Sequence, residues 1–536
     1  MSYQNKTFIA DVAKKTPDEF IKNIYDKIDK DQRKTIALTT VTAILTCFFN
    51  YFYLMVNGYG GPDTICEGIY TYIARDNAIC SARWFTVVIN FLFGKNLIFP
   101  FTIVIITTLL FAFSAFILFD LLNIKSRICQ ALMVCAMVSF PVVTHMYAYL
   151  YICICYGFCF LAVTLAAYLF RKRKLWAYIV GVVLLIGMFG TYQSYLAAAA
   201  TICVILFIVD LLHGRKLKDA FFDLGIYAAL GVVSGIIDMI ISKIVMKFSH
   251  IATSDRITEL SIKDVFVYLP ETFGSCYRYI YYYFTEHILG RSKLYPLLFA
   301  IIVGLLVYSV VRLIKDKKYA AAVLVPVMFA LIPVAMNLCA IIFPHNGISP
   351  VMKYQYVLVI PLLFALLDYV PVNLGTNLTR WVSVLVVFVL VSGYAITSNA
   401  TQIAYKIAYD STKTTAQLML ADACDVEGFI PNVTPVIITS AIDWTPASLG
   451  NPEVFNLSEM ESGPIFWSGA YGPVTCRHYY FINYLGFDAK AISQNDYLEL
   501  VTSPEFAEMP VWPAEGSCRM INGKVCIKTT EEPPLY

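Results

Sequence analysis

Residues 149–192 read YLYICICYGFCFLAVTLAAYLF, then RKRK, then LWAYIVGVVLLIGMFGTY. The first run is long enough to cross the roughly 30 Å hydrocarbon core of a bilayer as a helix. Four cations follow without a break, and a second apolar run begins at once. Apolar runs closed by Lys and Arg are the signature of membrane spans whose basic loops stay on the cytoplasmic side.

The pattern extends in both directions from this hairpin. Spans are expected at Thr35–Val56, Ile98–Leu122, Ile128–Tyr147, Tyr149–Phe170, Leu175–Tyr192 and Tyr195–Leu212. Others are expected at Phe221–Met246, Tyr295–Ile314, Ala320–Phe343, Tyr354–Val370 and Trp381–Thr397. Cations gather in the amino-terminal arm and at Lys125/Arg127, Arg171–Lys174, Arg215/Lys216/Lys218 and Lys315/Lys317/Lys318. With about eleven spans, all of these fall on one side. The amino terminus is then cytoplasmic and the carboxyl terminus external. The shortest joints are those between spans three and four and between spans five and six; losing either hairpin removes two spans and keeps the outer orientation.

Composition agrees with a polytopic α-helical membrane protein. Of 536 residues 59% are hydrophobic and 14% charged, and mean hydropathy is +0.66. A soluble chain of this size could not hide so much apolar surface. A net charge of +3 argues against a nucleic-acid partner. No signal peptide is evident, so the first span is expected to direct insertion.

Three regions lie outside the spans. Residues 1–34 form a cytoplasmic arm in which Thr16-Pro17-Asp18-Glu19 opens a helix and Phe20, Ile21, Ile24, Tyr25 and Ile28 recur at helical spacing. Residues 35–397 form the membrane domain, with external loops at 57–97 and 247–294. The second loop is dense in tyrosine around residues 277–283, as an interfacial anchor or a platform for sugar or lipid would be. Residues 398–536 carry 16 Asp/Glu against 7 Lys/Arg and are expected to form a small external α/β domain. Within it a helix is expected at Thr412–Ala423, a strand at Val433–Ser440 and a hairpin over Cys518–Cys526 turning at Asn522-Gly523.

Cysteines divide by location. Those in the spans are packing residues; Cys153, Cys155 and Cys159 have no histidine or carboxylate beside them with which to hold a metal. An oxidising exterior favours disulfides, and the pairs expected are Cys518–Cys526 across the hairpin and Cys66–Cys80 across the first loop.

The chemistry-bearing residues concentrate at the outer ends of the spans. Loop one holds Asp63, Glu67, Asp76 and Arg83. His145, Tyr192 and Gln193 lie at two short turns, and His345, Asn346 and Lys353 at a third. No P-loop or Rossmann glycine motif, His-Glu-x-x-His or Gly-x-Ser-x-Gly is present. Within the spans, Asp120, Asp210 and Asp368 sit near inner ends. Asp238 is the one acid well inside a span, expected to pair with a neighbour or a cavity water rather than to catalyse. Acids on one part of a ring and cations on another suit sugar transfer from a lipid phosphate. A carboxylate deprotonates the acceptor hydroxyl, and Arg or Lys steadies the leaving phosphate.

Asp63 after the first span, Ala82-Arg83-Trp84, Ser139-Phe140-Pro141, Tyr192-Gln193-Ser194-Tyr195 and a basic residue after Ser349-Pro350 together resemble the bacterial serotype-converting glucosyltransferases. This is the type II glucosyl transferase-like family of the C-type glycosyltransferase superfamily. The resemblance runs over roughly residues 35–400. It implies a polyprenyl-phosphate-linked sugar as donor, a hexose such as glucose, transferred outside the cytoplasm to a cell-surface glycan. The superfamily's loop-one base falls on Asp63, with Glu67 as nearest substitute. Arg83 and Lys353 fall on donor phosphate, and Asp76, His145, Tyr192 and Gln193 on substrate. Two positions depart from the pattern: Ala82 replaces a glycine, and Lys353 replaces an arginine, which keeps the charge but loses the bidentate fork. Inversion is the simplest stereochemistry. The resemblance names no cofactor; a divalent metal beside the loop acids is the alternative. A transporter or flippase of lipid-linked glycans, or a non-catalytic export subunit, are the alternatives.

Overall fold

The computed structural model describes residues 29–58, 71–93, 99–252, 262–286, 293–344, 348–439 and 493–533. Asp63, Glu67, Cys66, His345, Asn346 and the arm helix from Thr16 lie outside them. The described chain is mainly helical. Its elements are α1 (Lys30–Asn57), α2 (Thr71–Cys80), α3 (Trp84–Leu92), α4 (Pro100–Leu121), α5 (Arg127–Ser139), α6 (Pro141–Met146), α7 (Cys153–Phe170) and α8 (Leu175–Phe189). There follow α9 (Leu196–Leu212), α10 (Leu217–Ser249), α11 (Ile262–Glu286), α12 (Leu294–Lys315), α13 (Tyr319–Ala330), α14 (Ile332–Met336), α15 (Leu338–Ile342), α16 (Val359–Tyr369) and α17 (Leu374–Cys424). Tight 3₁₀ segments occupy Tyr147–Ile152, Gln193–Tyr195 and Pro350–Leu358.

Among the described residues nine helical runs are long and apolar enough to cross a membrane. One of them, Arg127–Phe170, is 44 residues long. It is not straight: Phe140 is extended (ψ 134°) ahead of Pro141, and Tyr149 is non-helical (ψ 56°). Pro141 lacks the N–H that would continue the ladder from α5, so the chain turns there. Both ends of the run lie at the same end of the bundle. Arg127 pairs with Asp31 at 2.6 Å, and Arg171 donates to the Leu121 carbonyl at 3.2 Å, a few residues before Arg127. α8 is apolar but, at 15 residues, about 22 Å long. The turns at Tyr147–Tyr149 and Tyr192–Tyr195 fall where the sequence places its shortest joints.

The cation-rich segments meet at one end. Asp210 pairs with Arg171 and, at 2.8 Å, with Arg215. Asp223 pairs with Arg173 at 2.7 Å and with Arg215. Asp368 accepts the Lys125 backbone N–H at 2.7 Å and pairs with Arg380 at 3.3 Å. Asn123 and His213 join α4 to α9 at 3.0 Å. Acids near the ends of spans thus balance the basic segments around them.

The first and last long helices are neighbours. Ser398 of α17 donates to the Asn50 carbonyl of α1 at 3.2 Å and accepts from Thr144 of α6 at 3.0 Å. Gln402 donates to the same Asn50 carbonyl and accepts the Leu54 N–H at 3.1 Å.

The helices add detail to one expectation and correct another. The loop expected at 247–294 contains α11, 25 residues long. Its inner face carries Cys276, Tyr283 and Phe284, all buried, while Phe266, Val267 and Tyr281 stay exposed. Aromatic residues thus lie on both its packed and its exposed sides. The last span and the helix expected at Thr412–Ala423 form one 51-residue helix, α17, opened by an Asn373 capping box. No Gly or Pro interrupts residues 394–424 to break it.

Beyond α17 a three-stranded sheet has the order β1 (Val436–Ile438), β3 (Lys524–Ile527), β2 (Cys518–Ile521), with β1 parallel and β2 antiparallel to β3. The hairpin turns at Asn522-Gly523, with φ of 48° and 73°, the left-handed pair such a two-residue loop needs. Two short helices, α18 (Gln494–Val501) and α19 (Pro504–Ala507), pack on the sheet face that carries Ile437, Ile521 and Cys526.

The hairpin overturns the Cys518–Cys526 disulfide. Cys518 pairs with Ile527, and Cys526 with Arg519. Residues that oppose each other share a face, so this one-residue offset sends the two sulfurs to opposite faces. Both are free thiols. Cys80 is also free, donating to the Asn77 carbonyl at 3.3 Å; its expected partner Cys66 is outside the described residues.

Candidate active site

Opposite the charged end, the short turns converge. Arg83 precedes α3, and its backbone N–H reaches the Ala78 carbonyl at 2.7 Å. The next residues clip onto the turn after α8. Phe85 N–H donates to the Gly190 carbonyl at 2.7 Å, Thr86 Oγ1 to the Thr191 carbonyl at 3.3 Å, and Gln193 Nε2 to the Ala82 carbonyl at 3.0 Å. Ala82 adopts φ 55°, a conformation glycine would take without strain. The family-like glycine at this position is thus explained by the turn.

This clip places the Arg83 guanidinium over the Tyr192 ring, 4.7 Å from its centroid. Among the described residues no carboxylate pairs with it, and its buried Nε has no hydrogen-bond partner. Arg83 itself is half-buried, and a buried N–H left without an acceptor is costly. It is also a ready partner for an oxyanion.

Lys353 lies on the 3₁₀ segment Pro350–Leu358, its Nζ 5.7 Å from the Tyr283 ring centroid. Tyr283 in turn meets Phe140 at 5.9 Å and Tyr356 at 5.0 Å. Tyr354 anchors this segment through its hydroxyl to the Met137 carbonyl at 2.8 Å, and Tyr356 donates to Asn337. A run of ring contacts joins the two cations: Tyr192–Tyr195, Tyr195–Phe160, Phe160–Tyr354, Tyr354–Phe140 and Phe140–Tyr283. The α6 helix, which carries His145, packs against the Lys353 segment, and so does the Gln193 turn.

The structure therefore sets Arg83 over Tyr192, bonds Gln193 to the Ala82 carbonyl beside it, and ties the Lys353 segment to them through rings. Asp76 is elsewhere in its bonding: it pairs with the adjacent Arg75 at 2.8 Å on an exposed part of α2. Among the described residues no three His, Cys, Asp or Glu side chains group as metal ligands.

Sequence reading missed one member of this assembly. Asp238, from the middle of α10, accepts a hydrogen bond from Trp84 Nε1 at 2.8 Å, beside Arg83. A neighbour was expected for Asp238; that it is the tryptophan of the Ala82-Arg83-Trp84 element was not.

Fold and site together define a polytopic helical membrane protein with a charged end and, opposite it, a polar end that holds a guanidinium with no carboxylate partner among the described residues. The Glucosyl transferase GtrII family model matches residues 64–366, more than half of the chain, and the chain belongs to that family. It is a membrane glycosyltransferase. The match takes in Glu67, Asp76, Arg83, His145, Tyr192, Gln193 and Lys353 and begins one residue after Asp63. No curated protein and no solved structure matches.

Proposed function

We propose that this glycosyltransferase moves a hexose, glucose, from a polyprenyl-phosphate donor to a surface glycan at the external face of the membrane. The observation that carries this reading is Arg83: a guanidinium held against Tyr192 with no carboxylate among the described residues. The donor's phosphate supplies the missing anion. Lys353 gives a second positive charge on the same polar end.

The reaction inverts the sugar carbon. An acceptor hydroxyl attacks that carbon, and the bond to the phosphate oxygen breaks. Polyprenyl phosphate departs with the electron pair, and Asp63 takes the hydroxyl proton. Glu67 is the substitute base. His145, Tyr192 and Gln193 hold the sugar.

Transfer of radiolabelled glucose from polyprenyl phosphate in membranes tests the reading. Asp63→Asn is expected to lower transfer by about 10²–10⁴-fold while donor lipid still binds. Arg83→Ala and Lys353→Ala are expected to weaken donor binding instead. Wild-type transfer by Asp63→Asn moves the base to Glu67 or Asp76. No transfer by the wild type from any such donor favours a transporter.

A further inference from the structure

Asp238 has no part in the chemistry above, yet its setting is specific. α10 is largely exposed along its length, and the polar side chains it buries in its central part are Ser234, Asp238 and Ser242, spaced four apart on one stripe. Asp238 is 5% exposed. A carboxylate inside a span is costly and is retained where it is paired. Its partner is the Trp84 indole, whose N–H has no acceptor other than Asp238 Oδ1 among its described bonds. Gly190 makes room for the pair: a Cβ there would stand 2.6 Å from Trp84 Nε1 and 3.1 Å from Asp238 Oδ1. The same Gly190 receives the Phe85 N–H. Three elements, α3, α10 and the turn after α8, thus meet at one indole, and the residue before that indole is Arg83.

We propose that Asp238 is a positioning residue: by holding Trp84 it sets the backbone at residues 83–85 and so holds the Arg83 guanidinium where it receives the phosphate of the lipid donor. This rests on the reading of Arg83 as the phosphate partner. Asp238 does not touch the donor, and its role needs a hydrogen-bond acceptor rather than a charge.

The full chain in lipid nanodiscs, titrated with polyprenyl phosphate and separately with uncharged polyprenol, tests this. Asp238→Ala and Trp84→Phe are each expected to weaken polyprenyl phosphate binding about tenfold, which is about 1.4 kcal/mol, and to leave polyprenol binding unchanged. A merely structural defect would weaken both lipids. The double variant is expected to bind no worse than either single one, because both remove the same bond. Asp238→Asn keeps an acceptor oxygen and is expected within about twofold of the wild type. Additive losses, equal loss for both lipids, or an Asp238→Asn as weak as Asp238→Ala would overturn the positioning role. Arg83→Ala is measured alongside: unchanged phosphate binding there overturns the functional reading itself. Weakened binding in Arg83→Ala with wild-type binding in Asp238→Ala overturns only the positioning.

Discussion

Gly190 shows how much a single hydrogen atom can decide. Its φ of −70° suits any residue, so only space forbids a side chain there. A methyl group would meet the rigid Trp84 ring at 2.6 Å. Gly190→Ala is expected to cost about 1–3 kcal/mol through overpacking, read as a lower melting temperature in detergent. An unchanged melting temperature would mean that the indole moves aside freely. At this scale the sequence is legible in part. Arg83, Gln193 and Lys353 stand out because polar residues interrupt apolar runs at turns. Tyr192 stands out as the aromatic end of such a turn. The Trp84–Asp238 bond spans 154 positions, and neither local pattern points to the other. One signal was present: a lone acid in mid-span needs a donor, and indole N–H groups are few in this chain, which has six tryptophans.

Among the elements, the hairpin was legible in its turn but misread in its register. A two-residue loop at Asn522-Gly523 pairs Ile521 with Lys524, and counting outward pairs Cys518 with Ile527. That count was available in the sequence and excludes the bridge; the symmetric look of two flanking cysteines hid it. Burial pushes the Cys518 thiol up to about 11 and raises Cys526 further. Both remain protonated at pH 8, and the thiolate is the nucleophile. Neither is expected to react quickly with alkylating reagents in the folded protein, and both are expected as free thiols on non-reducing peptide mapping. A peptide linking the two would require another register. The helix α11 was missed for a different reason. Pro270 stands inside it, and Lys263, Asp264, Glu271 and Arg278 are scattered along its sequence as they would be in a loop.

For the whole molecule, the basic clusters were the most legible feature. The structure gathers them at one end through Arg–Asp pairs and backbone bonds. Their placement in the cytoplasm is this chain's expected topology. An impermeant maleimide applied to intact cells is expected to label native Cys424, which is exposed at the carboxyl end of the long helix α17, and to miss Lys172→Cys. Labelling at position 172 from outside would invert the topology and, with it, the side on which the sugar is transferred.

The contact between α1 and α17 also sets a schedule for biogenesis. Leu54 and Gln402 are 348 positions apart. At about 5–20 residues per second, ribosomal synthesis leaves about 20–70 s between the emergence of one and the other. Throughout that interval the first helix resides in lipid without its final neighbour. Asn50 is suited to the wait: its Nδ2 donates to the Thr46 carbonyl of its own helix, at 2.8 Å, so its donor is satisfied before the partner arrives. This seam forms only when the last long helix docks, and a chain truncated before α17 leaves that side of the first helix uncovered.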